Sequence, residues 1–232
     1  MIAGRNLDMI ETVAGGLGPL REKAVFVGGA STCLHIDDPA AGNVRPTDDV
    51  DCVIEAVSRT QYSQVEKQLR GLGFSHVTEP GHPICRWRYR GVLVDVMPDD
   101  PAILGFSNRW YGEGIENARR VVLPSGLSIL SFTLPYFLAS KLAAYESRGS
   151  DCRMSHDIED IIIVLDGQIN FDEIAGAPGT VIAYLKAEFQ KLLSDASFVE
   201  SIHGHLPPDP SNVARARRII DFFDAFSKQN ST

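Results

Sequence analysis

The spacing of apolar residues changes character along this chain. From Leu7 to Leu17 apolar positions recur at helical spacing and end in Gly-Gly-Leu-Gly, which predicts a helix and its stop. AVFVGG (24–29) is a short apolar run that predicts a buried strand, and Ala30–His35 predicts the opening of a helix. A polar, turn-rich stretch (37–48) delivers the chain to a further strand, DVDCVIEAV (49–57). Thr60 fits an N-cap for a helix through Gln64, Val65, Gln68 and Leu69, stopped at Gly71. FSHV (74–77), ICRWRYR (84–90) and GVLVDVM (91–97) predict strands, the last two joined tightly at Arg90–Gly91. Residues 98–118 are assigned only as irregular, with room for a short helix, and 120–130 predict a strand pair around Pro124-Ser125-Gly126.

From Leu134 onward the pattern is helical over 134–148, 155–166, 177–198 and 211–228, with Pro207, Pro208 and Pro210 setting the last helix apart. No internal repeat is present. The expected fold class is therefore α/β (α+β): a mixed sheet with flanking helices over 1–133, then a helical domain over 134–232.

Composition narrows the class without naming a chemistry. The chain has 232 residues, 44% hydrophobic and 22% charged, which lies in the globular range. No apolar run approaches the roughly 18 residues that span a bilayer, and MIAGRNLDMIE lacks the basic flank and apolar core of a signal peptide. A cytoplasmic protein with no membrane partner is expected. Cys33, Cys52, Cys85 and Cys152 form no CxxC pair, so they are read as reduced packing residues rather than a zinc site. A net charge of −8 argues against an extensive nucleic-acid surface while leaving room for contact with one RNA end.

The informative chemistry begins at Asp49-Val50-Asp51. Acids at i and i+2 on a strand point to the same face. Asp95, inside LVDVM, adds a third acid from a later strand, with no basic residue beside it in sequence. Such a cluster is costly unless a cation neutralises it, and hard oxygen donors favour Mg²⁺, with Mn²⁺ as a substitute. Two carboxylates so placed can bridge two ions. The plainer reading is strand-end acids that are solvated or paired with arginine, but Asp51 and Asp95 lie in apolar runs where an unpaired charge is expensive. Asp48 reads as a turn residue.

Upstream, VGGAST (27–32) runs from a strand into paired glycines and small hydroxyl residues, a pattern suited to cradling phosphate and equally to an ordinary strand–helix turn. It is not a P-loop, because no Gly-Lys-Ser/Thr follows. Lys141 interrupts an apolar helix and reads, by itself, as a lysine reaching out from a helix edge. Asp157 and Asp160 lie one turn apart, consistent with an exposed acidic face or a capping cluster after Ser155. Arg86, Arg88 and Arg90 alternate with Trp87 and Tyr89 and read as a solvated strand face over buried aromatics, with an acceptor groove as the alternative. His203 and His205 are expected in a proline-rich, solvent-facing loop.

Taken together, hydrophobic-Gly-Gly, then Asp-x-Asp, then a lone Asp on a later strand resembles the DNA polymerase β-like nucleotidyltransferase superfamily. Within it the chain resembles the AbiEii/AbiGii-type nucleotidyltransferase toxins through VGGAST, through RPTDDVDCVI (45–54) and through the Lys-x-x-Ala and Asp-x-x-Asp helices of 136–165. The stretch from Gly29 to Asp49 is longer than in many members, and Ala30-Ser31 stands where relatives often have Thr-Ala or Ser-Ala. The resemblance implies that Gly28, Gly29 and Ser31 hold triphosphate and that Asp49 and Asp51 bind metal. It makes Asp95 the third acid, as ligand or base. Lys141 would contact nucleotide phosphates, and Asp157 would complete the site from the helical half. The function implied is metal-dependent transfer of an NMP group from an NTP to a hydroxyl acceptor: a tRNA end, a protein or a small molecule. A cognate antitoxin is the partner such a toxin would have. The alternative is a non-catalytic protein of the same fold that binds a nucleotide or a partner.

Overall fold

Val50, Cys52, Val94 and Val96 are fully or nearly fully buried, while Asp49, Asp51 and Asp95 alternate with them along the same strands. That alternation sends the apolar set to one side of a sheet and the acids to the other. The structure, a computed structural model, describes residues 3–38 and 44–228, and the chain divides into two compact units. The first takes in the chain up to Leu34 and Arg45–Thr133, and the second takes in His35–Val44 and the chain from Leu134.

The first unit runs α1 (Ala3–Leu17), β1 (Ala24–Val27), β2 (Asp49–Ile54), α2 (Arg59–Gly71), β3 (Ser75–His76), β4 (Arg86–Tyr89), β5 (Val92–Pro98), α3 (Pro101–Leu104), α4 (Tyr111–Glu116), β6 (Arg119–Val122) and β7 (Ser128–Ser131). Its seven-stranded sheet has the order β3-β4-β5-β2-β1-β7-β6. The β2–β5 and β1–β7 pairs are parallel, and the others are antiparallel, so the sheet is mixed as expected. Ile10, Val13, Ala14 and Leu17 form one apolar stripe on α1 and pack with Phe26, Val50, Cys52, Trp87 and Val94 into the main core. Arg90 (φ 47°) and Gly91 (φ 86°) form a two-residue turn with positive φ at both positions, the geometry that suits the twist of a tight hairpin.

Two local expectations are revised and a third is filled in. The helix expected to open at Ala30 is a short 3-10 helix, Ala30–His35. The cap of α2 is Ser58, whose hydroxyl accepts from the Gln61 amide at 3.2 Å, rather than Thr60, which already lies inside the helix. Residues 98–118, expected to be irregular with room for a short helix, hold two: α3, capped by the Asp100 side chain on the Ala102 amide, and α4.

The second unit contains α5 (Leu134–Arg148), α6 (His156–Gly167), α7 (Asp172–Ala175), α8 (Gly179–Leu193), α9 (Ala196–His205) and α10 (Asn212–Lys228). Leu134–Leu142 is buried without interruption, Ser140 and Lys141 included. The helix expected over 177–198 is in fact two. The α8 helix stops at Leu193, and Asp195 caps α9 by accepting from the Ser197 amide at 2.8 Å. His203 and His205 therefore lie on α9 rather than in a loop. His205 Nε2 is 2.9 Å from the Cys152 carbonyl, and His203 is exposed. The amides of Asp37 and Asp38 both donate to the Gly167 carbonyl at the end of α6, at 2.9 and 3.0 Å. The long Gly29–Asp49 connection is thus explained: part of it is built into the helical unit. Among the described residues no helix is long and apolar enough to cross a membrane, and all four cysteines are free thiols.

Candidate active site at the acidic end of the sheet

The parallel register of β2 and β5 sets Asp51 directly beside Asp95, with Asp49 one pleat earlier on the same face. The antiparallel register of β4 and β5 sets Arg86 opposite Asp95. Strand pairing alone therefore brings three acids and one arginine to a common face.

Arg86 departs from the solvated strand face expected of it. Its Nε and Nη2 donate to the two carboxylate oxygens of Asp95, each at 2.8 Å, and Nη2 also donates to Asp49 Oδ2 at 2.5 Å. It is a bidentate, largely buried pair with a second acid attached, not a member of a solvated row. The remainder of the expected arrangement holds: Arg88 and Arg90 are exposed, and Trp87 is fully buried in the core. The hydrogen bonds that Arg86 donates to Asp95 hold the pKa of its guanidinium well above its ordinary range. Burial pushes the Asp49 carboxyl up, and the neighbouring Asp95 charge adds to it, against the pull of Arg86. Burial also raises the adjacent Cys85 thiol to about 12, so it stays a neutral thiol at physiological pH.

Gly28 ties the glycine motif to the acids. Its φ is +71°, and a Cβ there would fall on the Asp51 carboxylate. Only glycine suits both the backbone and the close approach. The Ser31 hydroxyl donates to the Gly28 carbonyl at 2.8 Å and is buried, so it closes the turn instead of facing solvent. Gly29 and Thr32 belong to the same turn, the Thr32 amide donating to the Gly29 carbonyl at 3.3 Å.

The strap before β2 is anchored from α1. Buried Asn6 donates to the Arg45 carbonyl at 2.9 Å and accepts from the Thr47 amide at 3.2 Å, while the Thr47 hydroxyl donates to the Asp49 carbonyl at 3.1 Å. These bonds help fix where β2 begins and hence where Asp49 stands, Thr47 through its amide and hydroxyl and Arg45 through its backbone carbonyl. Asp48 is exposed beside Arg5, at 3.3 Å, as expected of a turn residue.

The remaining expected site residues lie in the helical unit. Lys141 Nζ is 2.6 Å from Asp160 Oδ2 and 3.4 Å from Asp157 Oδ1, and Arg148 completes the group through Asp157 Oδ2. Both acids are buried, so the exposed acidic face is not observed, although Ser155 does cap α6 through the Ile158 amide. Lys141 is likewise buried rather than reaching outward.

Three oxygen-donor acids on one face fit a hard divalent cation such as Mg²⁺ by donor chemistry. As the side chains stand, no group of three or more His, Cys, Asp or Glu among the described residues is placed to hold an ion. At Asp49 and Asp95 a guanidinium takes the carboxylate oxygens that an ion would use.

Comparison with solved structures identifies the architecture. The chain is similar to the crystal structure of an antigenic nucleotidyltransferase-like protein from Paracoccidioides brasiliensis, with 25% identity, covering 85% of this chain and 93% of that one, at a TM-score of 0.52. The fold is a nucleotidyltransferase fold. No family model matches the chain, and no curated protein matches it.

Proposed function

We propose that this protein is a metal-dependent nucleotidyltransferase that moves an NMP group from an NTP to a hydroxyl acceptor. One observation carries the reading: Asp49, Asp51 and Asp95 share a face through strand register, and Gly28 leaves the space that the Asp51 carboxylate fills. Asp49, Asp51 and Asp95 would hold Mg²⁺, two ions in the fullest form, with Mn²⁺ as a substitute. Bound there, the metal would screen the triphosphate charge and lower the pKa of the acceptor hydroxyl. The backbone of Gly28 and Gly29, in the turn that Ser31 closes, is the assigned triphosphate contact. Asp95 is the assigned base or third ligand. The roles that the motif resemblance gives Lys141 and Asp157 belong to the proposal as well. Both already sit in ion pairs, so each also has a structural duty.

The acceptor is a tRNA end, a protein hydroxyl or a small molecule, and the motif resemblance extends the proposal to the toxin of a toxin–antitoxin pair acting in the cytoplasm. A second reading, a non-catalytic nucleotide- or partner-binding protein, draws on Arg86, whose guanidinium already neutralises two of the acids.

The test is transfer of label from each NTP carrying radioactive α-phosphate, with Mg²⁺, to total tRNA, lysate protein and small hydroxyl compounds. The Asp49→Ala/Asp51→Ala variant is run alongside. Labelled product from the wild type alone establishes the enzyme and its acceptor class. Nucleotide binding without any transfer moves the assignment to the second reading.

A further inference from the structure

Arg86 and Arg88 project from the same face of one strand, yet they are held very differently. The Arg86 side chain is 16% exposed and makes three charged hydrogen bonds to Asp49 and Asp95, whereas Arg88 is 47% exposed and comes only within 4.0 Å of Glu79. The position of Arg86 is not a matter of side-chain reach. The turn at Arg90–Gly91 fixes the hairpin, and the hairpin register pairs Arg86 with Asp95. Nη1 lies 3.4 Å from the exposed His82, so the guanidinium sits at the open side of the cluster.

We propose that Arg86 is an exchangeable counter-ion: it holds the acids in the free protein, yields them to the divalent cation that arrives with nucleotide, and is then taken up by the triphosphate. This rests on Asp49, Asp51 and Asp95 being the metal ligands. The chemistry is that of the guanidinium fork, which matches a carboxylate and a phosphate equally well and keeps its charge throughout. Carboxylates gathered at the edge of a core need a cation whether or not metal is present. Arg86 meets that need, and for the same reason it opposes entry of a metal by itself. When the cation comes with an NTP, the phosphate oxyanions accept the released guanidinium, and no charge is left unpaired. Metal and nucleotide therefore bind cooperatively, each raising the affinity for the other. Arg86 becomes a substrate-binding residue as well as a brace.

The experiment is Mn²⁺ titration, followed by the electron paramagnetic resonance signal of the free ion. It uses wild type, Arg86→Gln and Arg86→Lys, each without nucleotide and with non-hydrolysable ATP and GTP analogues. Wild type is expected to bind Mn²⁺ weakly alone and more tightly with an analogue. Arg86→Gln is expected to bind Mn²⁺ alone about tenfold or more tightly than wild type, the least that removing a close competing charge should give. It should also lose most of the enhancement by nucleotide. Arg86→Lys keeps the charge without the fork and falls between them, and it carries the test if the Gln variant does not fold. Equal Mn²⁺ affinity in wild type and variants would make Arg86 a fixed strut and overturn the proposal while leaving the metal site standing. No Mn²⁺ binding to any of them, with or without nucleotide, would overturn both.

Discussion

Among the described residues, charged side chains gather on opposite terms in the helical unit and at the end of the sheet. In the helical unit, Asp157 and Asp160 meet Lys141 and Arg148, acid for base, with both acids buried. Asp166 is similarly buried between Arg215 at 3.3 Å and Arg218 at 3.1 Å. At the end of the sheet, Asp49 and Asp95 share one guanidinium, and Asp51 brings a third acid to the same face. A balanced, enclosed cluster is the arrangement of a structural element. An acid-rich one at a partly exposed edge is receptive to further positive charge, which is what a triphosphate-binding centre requires. Charge balance, more than the number of acids, separates the two.

Variants can break this comparison. The largest effect is expected from Asp51→Asn, which should lower nucleotidyl transfer on the order of 10³-fold with little change in the thermal unfolding midpoint. Lys141→Met should do the reverse in kind. It leaves Asp160 buried without its lysine and should cost about 3–5 kcal/mol in urea unfolding. A raised KM for NTP in the folded Lys141→Met protein would show that the lysine touches phosphate as well. Gly28→Ala forces a side chain into a left-handed backbone and onto Asp51, so a loss of about 1–3 kcal/mol is expected by the same measurement, together with weakened metal binding. A smaller, pH-dependent effect should follow from Asp49→Asn. Because its folded pKa is raised, the native state holds that proton more tightly than the unfolded chain, so its contribution to stability falls as pH rises from the usual aspartate range through the folded value. The Asn variant should lack that decline and be relatively more stable at neutral pH. Arg88→Ala, beside Arg86 on the same strand face, should change stability by no more than about 0.5 kcal/mol.

Much of the sheet end was legible because strand periodicity is unambiguous. Asp49-Val50-Asp51 and Asp95 in LVDVM could only face away from Val50 and Val94 once those were placed in the core. The start of the helical region at Leu134 was legible for a similar reason, a change of period, and Ser155 was legible as a cap. The role of Arg86 was not seen, although the sequence holds a signal for it. A two-residue turn at Arg90–Gly91 pairs Tyr89 with Val92, and counting back from there pairs Arg86 with Asp95. The division of 177–198 into two helices was hidden because apolar spacing continues across it, although Asp195 is a sound cap in retrospect. Asn6 and the placement of His35–Val44 in the helical unit rest on long-range contacts that no local pattern encodes.

The most direct measurement is diffraction at the manganese absorption edge from crystals grown with Mn²⁺ and a non-hydrolysable NTP analogue. Anomalous density among the carboxylates of Asp49, Asp51 and Asp95, with Arg86 turned to phosphate, is the expected result. Ordered nucleotide with no metal at those acids, or metal at Asp157 and Asp160 instead, would contradict the assignment of the acidic sheet end as the active site.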